Sequence, residues 1–165
     1  GSGEEAVMAA ITDFAVAAWR EDGRWQVETL SDNVSEDLDQ LVAALRAQPS
    51  DSGVLGFVCV AEEFFIAVRV HGKQVHYLLS DVLAATEFPV ASEVLQRLDL
   101  PLPEEDDESQ PAGELEIFAD LGLESMEVAV ICDDLELFPD EQIEDIAGRL
   151  GFGEQLDSLL DSLDA

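Results

Sequence analysis

Apolar and polar positions alternate first at Phe14, Val16 and Ala18, and again at Trp25, Val27 and Thr29, with Arg20-Glu21-Asp22-Gly23 between them. A period of two on both sides of an Asp-Gly turn predicts a β-hairpin. The period then lengthens. Leu38, Leu41, Val42 and Leu45 form one stripe at helical spacing, behind Ser35 as the expected cap, with Glu36, Asp37 and Asp39 at the positive helix end. Pro49 and Gly53 close that helix. Two strongly apolar strands follow over residues 54–61 and 64–71, and Gly72-Lys73 turns the chain into a third over 74–79. In the middle strand Phe64, Ile66, Val68 and Val70 share one face, which is expected to be core; Phe65, Ala67, Arg69 and His71 share the other. Ser80-Asp81 starts a helical segment that Pro89 restarts, with Val94, Leu95 and Leu98 on its stripe. The order ββ-α-βββ-α predicts an α+β fold: an antiparallel five-stranded sheet with helices packed on one face.

At Asp99 the pattern stops. Pro101, Pro103, Pro111 and Gly113 surround Glu104, Glu105, Asp106, Asp107 and Glu108, and almost nothing there is suited to a core. An acidic flexible linker is expected over 99–113. Helical spacing then resumes at Leu115, Phe118, Ala119 and Leu121, and again at Met126, Val130 and Ile131. Pro139, at a first helical position, opens a third stripe of Ile143, Ile146, Ala147 and Leu150. After Gly151-Phe152-Gly153 come Leu156, Leu159, Leu160 and Leu163. The expected divisions are a disordered N-terminus over 1–11, with Gly1-Ser2-Gly3 as a cloning remnant, an α+β domain over 12–98, the linker over 99–113, and a small all-helical C-terminal unit over 114–165.

Charge changes this picture most. The 165 residues hold 38 acids and 7 cations, a formal net charge of -31, while hydrophobic residues keep a globular share of 47%. Residues 104–165 carry 21 acids against Arg149 alone, a net -20. Seven cations cannot build a footprint for a phosphate backbone, so direct nucleic-acid binding and anionic membrane surfaces are excluded as expectations. No apolar run reaches the roughly 18 to 20 residues needed to cross a bilayer, and no signal peptide is evident. Cys59 and Cys132 share no metal-type spacing and read as buried thiols of a cytoplasmic protein.

Candidate chemistry is sparse. His71 and His76 flank the Gly72-Lys73 turn, but zinc needs three or four ligands and no third histidine or nearby cysteine supplies them. Neither a G-x-S-x-G elbow, a phosphate-binding glycine loop nor an EF-hand loop is present. Arg69, His71 and His76 form the cluster that an enzyme of unrecognised type would use. No cofactor and no metal is expected.

Several stretches together carry a resemblance. They are the run from Phe14 through Trp19-Arg20-Glu21-Asp22-Gly23-Arg24-Trp25, then Phe64-Phe65-Ile66-Ala67-Val68-Arg69-Val70 and Leu78-Leu79-Ser80-Asp81. Beyond the acidic run come Ala119-Asp120-Leu121-Gly122, Leu137-Phe138-Pro139-Asp140-Glu141 and Ile146-Ala147-Gly148-Arg149-Leu150-Gly151-Phe152-Gly153. The chain resembles the actinobacterial tRNA adenosine deaminase-associated protein family from about Ile11 to Leu160. The resemblance implies a genomic link to a tRNA adenosine deaminase and brings no catalytic residue with it. The chain is not itself expected to be a zinc deaminase, which needs His-x-Glu and Pro-Cys-x-x-Cys. His71 is followed by Gly72-Lys73, His76 by Tyr77-Leu78, and neither cysteine has a partner three residues away.

The leading expectation is a non-enzymatic, acidic accessory protein that binds a partner with a basic surface, a tRNA adenosine deaminase being the named possibility. Glu104, Glu105, Asp106, Asp107 and Glu108 would be its docking arm. The alternatives are a nucleic-acid mimic whose carboxylates occupy a partner's basic groove, or an enzyme of unrecognised type.

Overall fold

The computed structural model describes residues 14–48, 50, 53–104, 106–134 and 136–164. The expected disordered N-terminus over 1–11 and the docking residue Glu105 lie outside them.

Six strands form one antiparallel sheet: β1 (Phe14–Glu21), β2 (Arg24–Thr29), β3 (Val54–Val60), β4 (Phe64–His71), β5 (Gln74–Leu79) and β6 (Ala112–Gly113). Their order is β2-β1-β3-β4-β5-β6. The predicted hairpin pairs Arg20 with Trp25 and Ala18 with Val27. Between β2 and β3 the chain crosses the sheet through α1 (Leu38–Arg46). Asp37 caps this helix: its Oδ1 accepts from the Asp39 amide at 3.0 Å and the Gln40 amide at 3.3 Å. Ser35, the expected cap, instead ends a short 3-10 turn over Asp32–Ser35. After β5 comes a 3-10 turn, Val82–Thr86, capped by Asp81, then α2 (Pro89–Arg97) with Pro89 in its first turn.

The sheet expectation is corrected in two respects. First, the described residues form six strands rather than five. Ala112–Gly113, assigned to the acidic linker by sequence, pairs with Leu79 and Leu78 of β5. Gly113 makes this possible, since its φ is +112° and a Cβ there would meet the Tyr77 carbonyl oxygen at 2.5 Å. The preceding acidic stretch is tied at both ends, where Leu100 N donates to Leu95 O and Val82 N donates to Gln110 O.

Second, helices cover both faces. Against one face, carrying Phe64, Ile66, Val68 and Leu79, lie Leu38, Leu41 and Leu45 of α1 and Val90, Ala91, Val94 and Leu95 of α2. Gly56 lets α1 approach, because a Cβ there would sit 2.9 Å from Leu45 Cδ1. The opposite face, with Phe57, Cys59, Phe65, Ala67 and Leu78, is covered by the C-terminal elements. These are a 3-10 segment, Leu115–Leu121, then α3 (Ser125–Asp133), α4 (Pro139–Leu150) and α5 (Gly153–Asp164). Phe118, Val128, Ile131, Ile143, Ile146, Leu150, Phe152 and Leu156 close this second core. β1, β3 and β4 are therefore buried on both sides. Strands in that position read as continuous apolar runs, which is how residues 54–60 and 64–70 are written.

Candidate functional site

The end of the β4–β5 hairpin and the segment after β6 enclose an open cleft of about 680 Å³. Register puts the polar side chains of the hairpin on one face, since Arg69 pairs with His76 and His71 with Gln74. The two histidines lie diagonally, each opposite another polar residue. Arg69, His71 and His76 are thus brought together, as the sequence suggested, and line the cleft with Glu114, Asp120 and Ser125.

Two of the cleft's basic side chains, Arg69 and His76, meet acids of the same chain. Arg69 is buried, with a side-chain exposure of 6%, and its Nη1 donates to the Ile117 carbonyl at 3.1 Å. The guanidinium also grips Asp120 with both ends, Nη2 donating to Oδ2 at 2.9 Å and Nη1 to Oδ1. That hydrogen-bonded pair holds the Asp120 carboxyl below the usual carboxylate range, outweighing the opposite effect of its partial burial. His76 Nδ1 lies 2.9 Å from Glu114 Oε1, and since a carboxylate only accepts, this nitrogen carries the proton. The other Glu114 oxygen accepts from the Tyr77 amide at 3.2 Å, which fixes the start of the C-terminal segment against β5.

Chemically, the lining holds one buried ion pair, Arg69 with Asp120, and one imidazole hydrogen-bonded to a carboxylate. Glu114 orients the His76 ring through Nδ1. Among the described residues no group of three or more His, Cys, Asp or Glu side chains is placed to hold a metal ion. Cys132, half-buried on α3, has its thiol pushed up to about 12 by burial and by the adjacent Asp133, so it is a poor nucleophile. Cys59 is a buried thiol of the second core.

Four of the five acids expected to form a docking arm lie elsewhere. Glu104, Asp106, Asp107 and Glu108 are exposed. Glu104 and Asp107 form a local turn, the Glu104 amide donating to Asp107 Oδ2 at 2.7 Å. Glu104 also borders a shallow depression with Glu63, Asp81 and Glu87, on the α2 side of the molecule.

The profile of the Rv3753c-like tRNA adenosine deaminase-associated protein family matches residues 13–153. The chain belongs to this family. Protein Rv3753c of Mycobacterium tuberculosis (strain ATCC 25618 / H37Rv) is 36% identical over 153 residues, covering 91% of this chain and 88% of that protein. No solved structure matches the chain. The Rv3753c-like match takes in all six strands and the helices through α4, hence the whole cleft and most of the second core.

The C-terminal layer holds features the sequence reading missed. Met126 and Val130 were assigned to a buried stripe with Ile131; the fold buries Val128 and Ile131 and leaves Met126 77% and Val130 65% exposed. Phe138 is 60% exposed as well. The available signal was α3 itself, which is apolar nearly all round.

Proposed function

We propose that this chain is a non-enzymatic accessory protein that binds a protein partner with a basic surface, and that the partner is a tRNA adenosine deaminase. One observation carries the reading. The helices after β6 present a predominantly apolar inner side to the sheet, and the single cation they carry among many acids, Arg149, is already paired with Asp145 and Glu127. So large an excess of one charge has no counterpart within the chain. A protein that acts on tRNA needs a basic surface, and complementary charge speeds and selects such an encounter more than it tightens it. The family's name, which speaks of association with a tRNA adenosine deaminase, supports that choice of partner. A cytoplasmic location goes with it. Direct binding to tRNA does not, since seven cations are too few for a phosphate-binding face.

The test is a titration of the tRNA adenosine deaminase of the same organism with this protein, repeated as salt is raised. The expected result is a defined complex whose association slows as the Debye length shrinks from about 10 Å toward about 3 Å. Absence of any complex at low salt refutes the choice of partner. Adding tRNA separates the accessory reading from mimicry: an accessory protein stays bound alongside tRNA, whereas a mimic is displaced by it.

A further inference from the structure

We infer that the outer face of α3, with Phe138 at the start of α4, is a docking surface for an amphipathic helix of a protein partner, apolar on one side and flanked by Lys or Arg. This rests on the reading above and names the surface that performs it. Six of the nine residues of α3 are apolar, Met126, Val128, Ala129, Val130, Ile131 and Cys132. A helix apolar on all sides belongs in an interior. Only half of this one has found one: Val128 and Ile131 enter the core, while Met126 and Val130, four residues apart on the opposite side, face out. The next turn of chain is held to the same corner. Gln142 is buried and donates from Nε2 to the carbonyls of Ile131 at 2.9 Å and Cys132 at 3.3 Å, so α4 starts against the end of α3 with Phe138 exposed beside it.

The surroundings define the occupant. Glu124 precedes α3, Asp133 ends it and Asp134 follows it, and Glu136 and Glu141 flank Phe138; all five are exposed. Asp133 and Asp134 stand at the negative end of the α3 dipole, where acids are unfavourable and a cation is favoured. Glu127 is engaged by Arg149. An apolar stripe with an acidic border fits a helix with apolar anchors and cationic flanks. Two anchors at i and i+4 suit ridge-into-groove packing of helix on helix, with Met126 adaptable in shape.

The experiment places benzoylphenylalanine at Met126 in the full chain, expressed in its own organism, with the same group at exposed Glu87 as control. Irradiation at position 126 alone is expected to capture one protein, through a segment with apolar residues at helical spacing and Lys or Arg beside them. Full-length protein carrying Met126→Glu and Val130→Glu should melt as the wild type does and bind the captured protein at least about 30-fold more weakly. The inference is overturned by capture of nothing, by equal capture from both positions, by capture of a second copy of this chain, or by unchanged binding of the double variant. Failure of the two readings is distinguishable. Capture of a protein other than the deaminase removes the deaminase as partner and leaves the surface standing. Equal deaminase binding by wild type and double variant removes the surface and leaves the partner.

Discussion

The two faces of the sheet are covered by the same means on the inside and by opposite means on the outside. On one face, α1 and α2 come from within the strand sequence, and arginines bind them to their surroundings. Arg97 donates to Asp39 of α1 at 2.6 Å, to Glu93 at 2.9 Å and to the Tyr77 hydroxyl at 2.9 Å, while Arg46 donates to the Gly72 carbonyl at 2.7 Å. On the other face, the helices from residue 115 onward bring an equally apolar inner side and a single cation. Folding asks only for the inner sides. The acidity of the second layer is a property of its outer surface, and self-repulsion makes it a cost to the folded state. Only some of these acids have partners within the chain, such as Asp120, Glu114, Glu127 and Asp145, and the remaining excess is what the proposed recognition role would use.

The largest effects should come from the aromatic side chains that join each layer to the sheet. Phe57 faces the acidic layer, with ring centroids 5.8 Å from Phe118 and 6.1 Å from Phe152; Phe64 faces the other layer, 5.0 Å from Phe88. Phe57→Ala and Phe64→Ala should each cost about 3–5 kcal/mol in chemical denaturation. Equal losses in one transition sharpen the comparison; a cheap Phe57→Ala, or a second transition, breaks it. Next comes Gly56→Ala, which pushes a methyl against Leu45 and overpacks only the α1 side, costing about 1–3 kcal/mol.

Asp120→Ala should act on the acidic side alone. It leaves the buried Arg69 with less compensation, and since Asp120 is 61% exposed the loss should fall near 1–2 kcal/mol, between surface and buried pairs. In the wild type this stabilisation is complete above the ordinary carboxylate value of 3.8 and is lost as pH falls through the lower value of the folded state. The smallest effect has the opposite sign. Burial first, then Asp157 and Asp140, raises the Glu144 carboxyl to about 7. A raised acid binds its proton more tightly when folded, so its contribution is complete below 4.5 and disappears as pH climbs through about 7. Melting temperature should therefore fall slightly from pH 5 to 8, by less than about 1 kcal/mol of stability after solvent screening, and Glu144→Gln should flatten that slope.

Much of the fold was legible where local pattern decides it. The β1–β2 and β4–β5 hairpins follow from alternation and turn residues, α1 and α2 from their stripes, and α4 from Pro139 and its periodic isoleucines. β6 was not legible, because two residues without side-chain periodicity pair only through the close approach that Gly113 permits. The second core was hidden by treating one face of each strand as the interior; the continuous runs at 54–60 and 64–70 held the contrary signal. At the cleft, Arg69, His71 and His76 could be grouped from one hairpin. Their partners could not: Glu114 is 38 residues from His76 and Asp120 is 51 from Arg69. On α3, a period of 3.6 could not separate Met126 and Val130 from Val128 and Ile131, since a helix apolar all round has no sequence-marked inner face.

The acidic helices, which close the second core, should unfold together with the central strands as one cooperative unit. Hydrogen exchange resolved by segment on the full chain tests it most directly. If the claim holds, amides of Ile143, Ile146 and Ala147 in α4 exchange through the same global opening as those of Phe57, Phe65 and Ala67 in the central strands, and salt slows both groups together by relieving repulsion. Protection of the strands with rapid exchange throughout residues 139–150 would contradict it, and would make the acidic helices an appendage rather than the second face of the fold.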